Sequence, residues 1–307
     1  MPLSVLYAEP TMANRIRGFT EHDFQILVEL LNEAYKNDFE FIPYTEEKLR
    51  TRLAEGKLEI LMAEENGRVT GTVAYNDGFW GEEIEWLAAQ DVPNRRALED
   101  LLVSEAEKYV KKGKAMVGAS AGSPKIAEWI KRGYKPESGM YRMTAKLNGE
   151  VPLLPVPEGV IVRNLGADEE EEFVKTVNTG FGWERVRMGN ILFWKTENQP
   201  FDETWIHVAE VDGGIVSVVV ARPDTNFNRF FSANRAHLGP ATTLPEHRRR
   251  NLATNLTVRA MNFLYGKGFD SAALGAAEQN TASVTLLKRL GFEIKHHWKI
   301  LHKNLLQ

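Results

Sequence analysis

Cysteine is absent from the 307 residues, which excludes disulfides, thiolate catalysis and Cys-ligated zinc. No apolar run approaches the roughly 18 residues that a membrane span needs, so no membrane segment is expected. The stretch MPLSVLYAEPTMANRIRGF shows no charged segment followed by an apolar core and a small-residue cleavage site, so no signal peptide is expected and a cytoplasmic location is the default. An excess of basic residues is missing as well. Lys and Arg number 38 against 42 Asp and Glu, a formal net charge of -4, which argues against nonspecific binding to nucleic acid because there is no global surplus of cations to displace phosphate counterions. What remains is an ordinary globular composition, 43% hydrophobic and 26% charged. At roughly 150 residues per domain the length suggests about two domains. No motif bears on oligomeric state.

The chain repeats itself. IRGFTEHDFQILVELLNEAY, from Ile16, aligns with VRNLGADEEEEFVKTVNTGF, from Val162, and one offset of 146 joins Arg17 to Arg163, Asn32 to Asn178, Ala63 to Ala209, Glu64 to Glu210, Gly67 to Gly213 and Val73 to Val219 without a gap. Each copy reads as a strand, a polar turn and a helix whose apolar positions recur every three or four residues, as at Leu27, Val28 and Leu31 or Phe173, Val174 and Val177. A hairpin comes next, broken at Asn-Gly in one copy and Asp-Gly-Gly in the other. Chance similarity of two α/β domains is the alternative, and an ungapped register across strand, helix and hairpin weighs against it. Between the copies, Leu147 to Gly159 holds three prolines and two glycines without periodicity. The expected organisation is a first domain over 14–146, a linker over 147–159 and a second domain over 160–307.

From His237 to Phe292 the second copy carries most of the chemical information. A β-rich segment ends at Pro245, the basic loop His247, Arg248, Arg249 and Arg250 comes after it, and Asn251, Leu252, Ala253 and Thr254 open an amphipathic helix. Such a loop is a phosphate cradle: the first N–H groups of a helix lack internal partners, the helix dipole favours negative charge there, and arginines add charge-assisted hydrogen bonds. A nucleic-acid patch or localisation signal is the other reading of these basic residues, and four of them inside a turn fit phosphate better.

At these residues the sequence resembles the GNAT superfamily of acyl-CoA N-acyltransferases. Its pyrophosphate loop, Gln/Arg-x-x-Gly-x-Gly/Ala, is matched by Arg248, Asn251 and Ala253. Asn replaces the central Gly, and Asn is the next residue after Gly to tolerate positive φ. The family's later Asn-x-x-Ala/Ser and Leu-Gly-Phe are matched by Asn280, Ser283 and Leu290-Gly291-Phe292. The resemblance implies an α/β (α+β) fold made of two tandem GNAT units, each a twisted, mostly antiparallel sheet flanked by helices. It implies acyl-CoA contacts from Ala241, Thr242 and Thr243 on a splayed strand, from Arg248 to Thr254 in the loop, and from Asn280 and Ser283. Mycothiol synthase-like acetyltransferases share the tandem layout.

In the first copy the drift falls where a cofactor would bind. Pro93 aligns with Pro245 at an offset of 152 and Leu102 with Leu256 at 154, so two residues are missing from the loop. Glu99 and Asp100 stand where phosphates would approach, Gly122 replaces Asn280, and Lys125 replaces Ser283. This copy reads as a degenerate GNAT domain without the cofactor motif.

Acyl transfer to an amine needs a neutral amine, a polarised carbonyl and a proton for the departing thiolate. By resemblance the base falls on His237, eleven positions before Arg248; a strand histidine held for structure is the competing reading. Glu210 and Glu278 are weaker candidates, the former because Glu64 repeats it in the degenerate copy. The family's acid, a Tyr seven residues after the Asn, is replaced by Leu287. Trp183, Phe193 and Trp194 either line an acceptor pocket or belong to the core. His296, His297 and His302 lie in a terminal strand with no carboxylate at ligand spacing, so no metal is expected. The implied function is an acetyl-CoA-dependent N-acetyltransferase acting by direct transfer in the C-terminal domain, on a small amine rather than a protein. The rivals are a non-catalytic acyl-CoA-binding protein and a transferase of another acyl or aminoacyl group.

Overall fold

The computed structural model describes residues 15–78 and 81–305. These residues divide into two compact units, one formed by residues 15–137 and 299–305, the other by Ser138–Trp298. In the first unit the order is β1 (Arg15–Gly18), α1 (Phe24–Tyr35), α2 (Glu46–Ala54), β2 (Leu58–Glu65), β3 (Arg68–Gly78), β4 (Gly81–Ala89), α3 (Arg95–Glu107), β5 (Lys114–Ser120) and α4 (Lys125–Lys131). Next comes β6 (Lys135–Lys146), whose larger part lies in the second unit. That unit continues with β7 (Val160–Asn164), α5 (Glu170–Phe181), α6 (Asn190–Glu197), β8 (Ile206–Val211), β9 (Gly214–Pro223), α7 (Thr225–Phe231), β10 (Arg235–Thr243), α8 (Leu252–Gly266), β11 (Ser271–Ala277), α9 (Thr281–Arg289) and the start of β12 (Glu293–Asn304). None of the described helices is long and apolar enough to cross a membrane.

Each unit is a mostly antiparallel sheet flanked by helices, and among the described residues β4 pairs in parallel with β5, and β10 with β11. The amphipathic spacing accounts for the first helix of each copy. Phe24, Leu27, Leu30 and Leu31 of α1, and Phe173 and Val177 of α5, are buried, which places the apolar stripe on the sheet. The hairpins turn as the dipeptides predict, with Asn66 at φ 53° and Gly67 at 75°, and Asp212 at 51° and Gly213 at 81°. Two successive positive φ values make the turn whose twist matches that of the strands it joins.

The repeat extends to side-chain detail. Arg17 donates to Glu64 at 2.9 Å and to Asp23 at 2.7 Å; 146 residues later Arg163 donates to Glu210 at 2.8 Å and to Glu169 at 2.6 Å. Asn32 clamps the backbone of Tyr44, and Asn178 that of Arg185 and Val186. In each copy the arginine therefore ties the first strand to its neighbour and to the helix start, and the asparagine ties the helix to the loop after it. Glu210 is an ion-pair partner in this scaffold.

Chain and unit part company at two places. Met140–Lys146 lie along β11, in register from Met140 opposite Ala277 to Lys146 opposite Ser271, so the segment that ends the first repeat is a strand of the second unit's sheet. Residues 299–305 pack in the first unit, where Leu301 is fully buried and Lys303 pairs with Glu107 at 2.7 Å. Residues 147–159 have neither helix nor strand, as their prolines imply, yet they are pinned in the second unit. Asn262 holds both backbone groups of Val151, and Asn255 donates to the Leu154 carbonyl.

Candidate functional site

The sheet of the second unit opens beside β10. This strand pairs in parallel with β11 only from Arg235 to His237, opposite Ser271 to Ala273. On its other side it stays paired with β9 up to Thr243, with a register shift between Leu238 and Ala241. The extra residue there is a β-bulge, which bends the strand. Gly239, at φ 137°, takes a backbone conformation that side chains disfavour, and Pro240 has no N–H to give a ladder. Leu244 N–H donates to Val216, so by alternation Thr242 faces β9 while Ala241 and Thr243 turn backbone groups to the open side. Thr242 also sits against α5: a Cβ at Gly180 would lie 2.2 Å from its Oγ1.

After Thr243 the chain makes a short turn at Pro245–His247 and enters α8 through two left-handed residues, Arg249 at φ 62° and Asn251 at φ 60°. Asn251 thus adopts the conformation for which Gly is the usual choice. No side chain caps the start of α8. The basic residues divide their tasks. Arg248 donates to the Thr243 carbonyl at 3.1 Å and to the Gly180 carbonyl at 3.0 Å, bracing the loop. Arg250 faces His247 Nδ1 at 3.1 Å, and Arg249 is exposed. Leu252 buries its side chain in the core and leaves only its backbone to the loop. A cavity of about 520 Å³ adjoins the starts of α8 and α9, lined among others by Asn251, Thr254, Thr281, Thr285 and Arg289. Thr281 and Arg289 escaped the sequence reading, because polar residues on a helix face carry no motif. Asn280 caps α9, its Oδ1 accepting from Ser283 N–H at 3.1 Å, so the two residues read as a spaced pair are hydrogen-bonded to each other.

His237 lies where β10 parts from β11. Its Nε2 reaches the bulge: a Cβ on Gly239 would lie 3.5 Å from it. Arg222 is its register partner on β9, and Arg142 Nη1 on β6 is 3.5 Å from its Nδ1. Burial, then the charges of Arg222, Arg142, Arg185 and Arg235, hold the imidazole well below its ordinary pKa, so the ring is neutral at pH 7 while part of its surface stays accessible. Burial, with Arg185 next, draws Arg222 down to about 10. Its guanidinium lies 4.8 Å over Trp194, and its Nε has no hydrogen-bond partner among the described residues. Asp224 bonds Arg142 at 3.1 Å and Arg235 at 2.9 Å. Of the aromatics left open, Trp194 is core, whereas Trp183 and Phe193 are exposed. Glu278 faces His297 at 3.1 Å. Leu287, in place of the family's acid, is buried among apolar residues. None of the arginines around His237 stands out in the sequence; they come from four separate segments.

In the first unit the equivalent helix, α3, carries ion pairs in its first two turns. Glu99 is buried and pairs with Arg95 at 2.9 Å and Arg132 at 3.0 Å, while Asp100 pairs with Arg132 at 2.6 Å. Pro124 precedes α4 with no side-chain cap, where Asn280 caps α9.

Residues 165–292 match the Acetyltransferase (GNAT) family. A mycothiol acetyltransferase of Rhodococcus erythropolis (strain PR4 / NBRC 100887) is 26% identical over 159 residues, covering 48% of this chain and 51% of that protein; the chain spans about half the length of this curated relative. Among solved structures, a GCN5-related N-acetyltransferase from Sphaerobacter thermophilus superposes with a TM-score of 0.70 at 16% identity, covering 96% of each chain. A tandem GNAT protein from the clavulanic acid biosynthesis pathway gives 0.64 at 15% identity, covering 96% of this chain and 99% of its own. Residues 165–292 are thus similar to the GNAT acetyltransferase family, and the chain as a whole has the fold of tandem GNAT proteins.

Proposed function

We propose that the chain is an N-acetyltransferase that takes an acetyl group from acetyl-CoA and passes it to a small amine in the second unit, by direct transfer. The observation that carries this reading is the departure of β10 from β11 at His237. It leaves the backbone groups of Ala241 and the N–H of Thr243, whose carbonyl is held by Arg248, facing an opening that leads to the uncapped start of α8. Backbone N–H groups at such a helix start suit a pyrophosphate, with Arg249 and Arg250 as the charged partners and Arg248 as the brace that shapes the loop. Asn251, Leu252, Ala253 and Thr254 contribute the turn and the first helical N–H groups. Asn280 and Ser283 border the same side through the start of α9.

In the reaction the amine nitrogen attacks the thioester carbonyl, the C–S bond breaks, and the nitrogen gives up a proton. His237, neutral and next to the bulge, takes that proton directly or through water, and the thiolate takes one from solvent. The first unit, whose α3 carries Glu99 and Asp100 paired with Arg132, serves as a degenerate copy without a cofactor site. A mycothiol acetyltransferase among the relatives favours a small molecule over a protein as acceptor. Burial of Leu287 where an acid would stand supports one second reading, an acyl-CoA-binding protein without turnover.

Calorimetric titration with acetyl-CoA tests the proposal. One equivalent should bind to the native chain, and an Arg249→Ala, Arg250→Ala double variant should lose about tenfold or more in affinity. Thiol release with an amine panel, lost in His237→Gln, separates enzyme from binder. No binding of acetyl-CoA refutes the reading.

A further inference from the structure

Arg142 from β6 stands 3.5 Å from His237 and Arg222 from β9 is its register partner, while the charges of Arg185, in the loop after α5, and of Arg235 on β10 also bear on the ring. Asp224, after β9, faces the group and bonds Arg142 and Arg235. Arg235 is accounted for by that pair and by Phe227, whose ring lies 3.2 Å from its guanidinium carbon. Arg222 is the informative member. Its guanidinium sits over Trp194 with Nε buried and without a partner among the described residues, and Asp224, two residues on, spends its hydrogen bonds elsewhere. Keeping a guanidinium in such a place is costly unless something brings negative charge to it. A planar fork of donors is the recognition element for an oxyanion.

We propose that this cluster is the anchoring site for the acceptor, which carries a carboxylate or phosphate group bound by Arg222 and Arg142 beside His237. The inference rests on the second unit being an acyltransferase only for the word acceptor; the anion site stands by itself. An anion here presents its amine to the bulge, where β10 parts from β11. It also draws Arg142 off Nδ1 of His237. A guanidinium has only donors, so Arg142 favours the tautomer in which Nδ1 accepts and Nε2 carries the proton. Once Arg142 turns to the anion, the proton can move to Nδ1 and leave Nε2 bare at the bulge.

The test is calorimetry on the full chain with sodium phosphate and, separately, sodium glutarate, each with and without saturating coenzyme A. At least one of the two anions should bind, with or without coenzyme A, and Arg222→Met should weaken it about tenfold or more. Arg222→Lys, which keeps the charge and loses the fork, should fall between. A preference for phosphate marks a phosphorylated amine, and a preference for glutarate an amino acid-like one. Absence of anion binding, or equal affinity in parent and Arg222→Met, overturns the inference; if the methionine variant does not fold, an unchanged affinity in Arg222→Lys does so. Loss of acetyl-CoA binding with the Arg222-dependent anion site intact removes the proposed function and leaves this site standing.

Discussion

Two arginines on neighbouring strands, two register positions apart, should respond to the same substitution with opposite signs. Arg222, drawn down to about 10 by burial and by Arg185, is costlier to keep charged in the folded chain by about 3 kcal/mol, at roughly 1.4 kcal/mol for each tenfold change in acidity. Methionine fills much the same volume without the charge. It gives up the stacking on Trp194, worth about 1–2 kcal/mol at a desolvated site. Arg222→Met should therefore leave stability at pH 7 unchanged or raise it by up to about 2 kcal/mol. Arg235 is buried too, but its guanidinium bonds Asp224 at 2.7 Å and covers Phe227. Removing it strips a partner from a half-buried carboxylate that Arg142 alone then holds, and should cost about 2–4 kcal/mol. Urea unfolding of the two variants against the parent, at pH 7 and moderate salt, measures both. A loss of more than about 2 kcal/mol in Arg222→Met would show that its guanidinium is a net structural element, and the case for an anion site would lose its basis.

The geometry sets three further outcomes. His207 is buried, with Nε2 unpartnered among the described residues and its pKa pushed down to about 3 by burial and Arg259. Its unfolded form binds a proton first as pH falls, so stability should be full above about pH 6.5 and then decline by up to about 1.4 kcal/mol per unit toward pH 3. His207→Leu should flatten that decline in thermal melts between pH 6 and 4.5, and an unchanged slope counts against the assignment. At Asn251, with φ 60°, glycine should be neutral within about 0.5 kcal/mol and valine should cost about 1–2 kcal/mol; equal melting temperatures for both would contradict the left-handed turn. Gly180→Ala, whose new Cβ meets Thr242 Oγ1, should cost about 1–3 kcal/mol. Adding Thr242→Ala should recover part of that loss, whereas strict additivity of the two changes would mean that they do not touch.

Local physics explains what the chain discloses before it is folded. Asn66-Gly67 and Asp212-Gly213 announce tight hairpins because few other dipeptides accept two positive φ values. The spacing of Phe173 and Val177 announces a helix with one face on a sheet, and the run from Asn251 to Ala253 announces the start of the next helix, because each of these needs only neighbours in sequence. The repeat at an offset of 146 was legible for a related reason: Arg17 with Glu64 and Arg163 with Glu210 preserve the same ion pair in both copies.

Other features needed the third dimension. The role of Arg248 as a brace depends on the Gly180 carbonyl, 68 residues away, and no spacing rule reaches that far. That Asn280 caps α9 by accepting from Ser283 N–H likewise shows only once the chain is folded.

The amino-acid sequence by itself thus determined the pair of α/β copies, the hairpins and the turn that opens α8, since helix periodicity and turn chemistry act over a few residues. Only the tertiary structure decided that Met140–Lys146, though it closes the first repeat, is a strand beside β11, and that Arg142 thereby faces His237 with Arg222 across from it. Strand pairing joins residues by backbone hydrogen bonds whatever their distance along the chain, so a charged cluster built from four strands and loops leaves no local trace in the order of the residues.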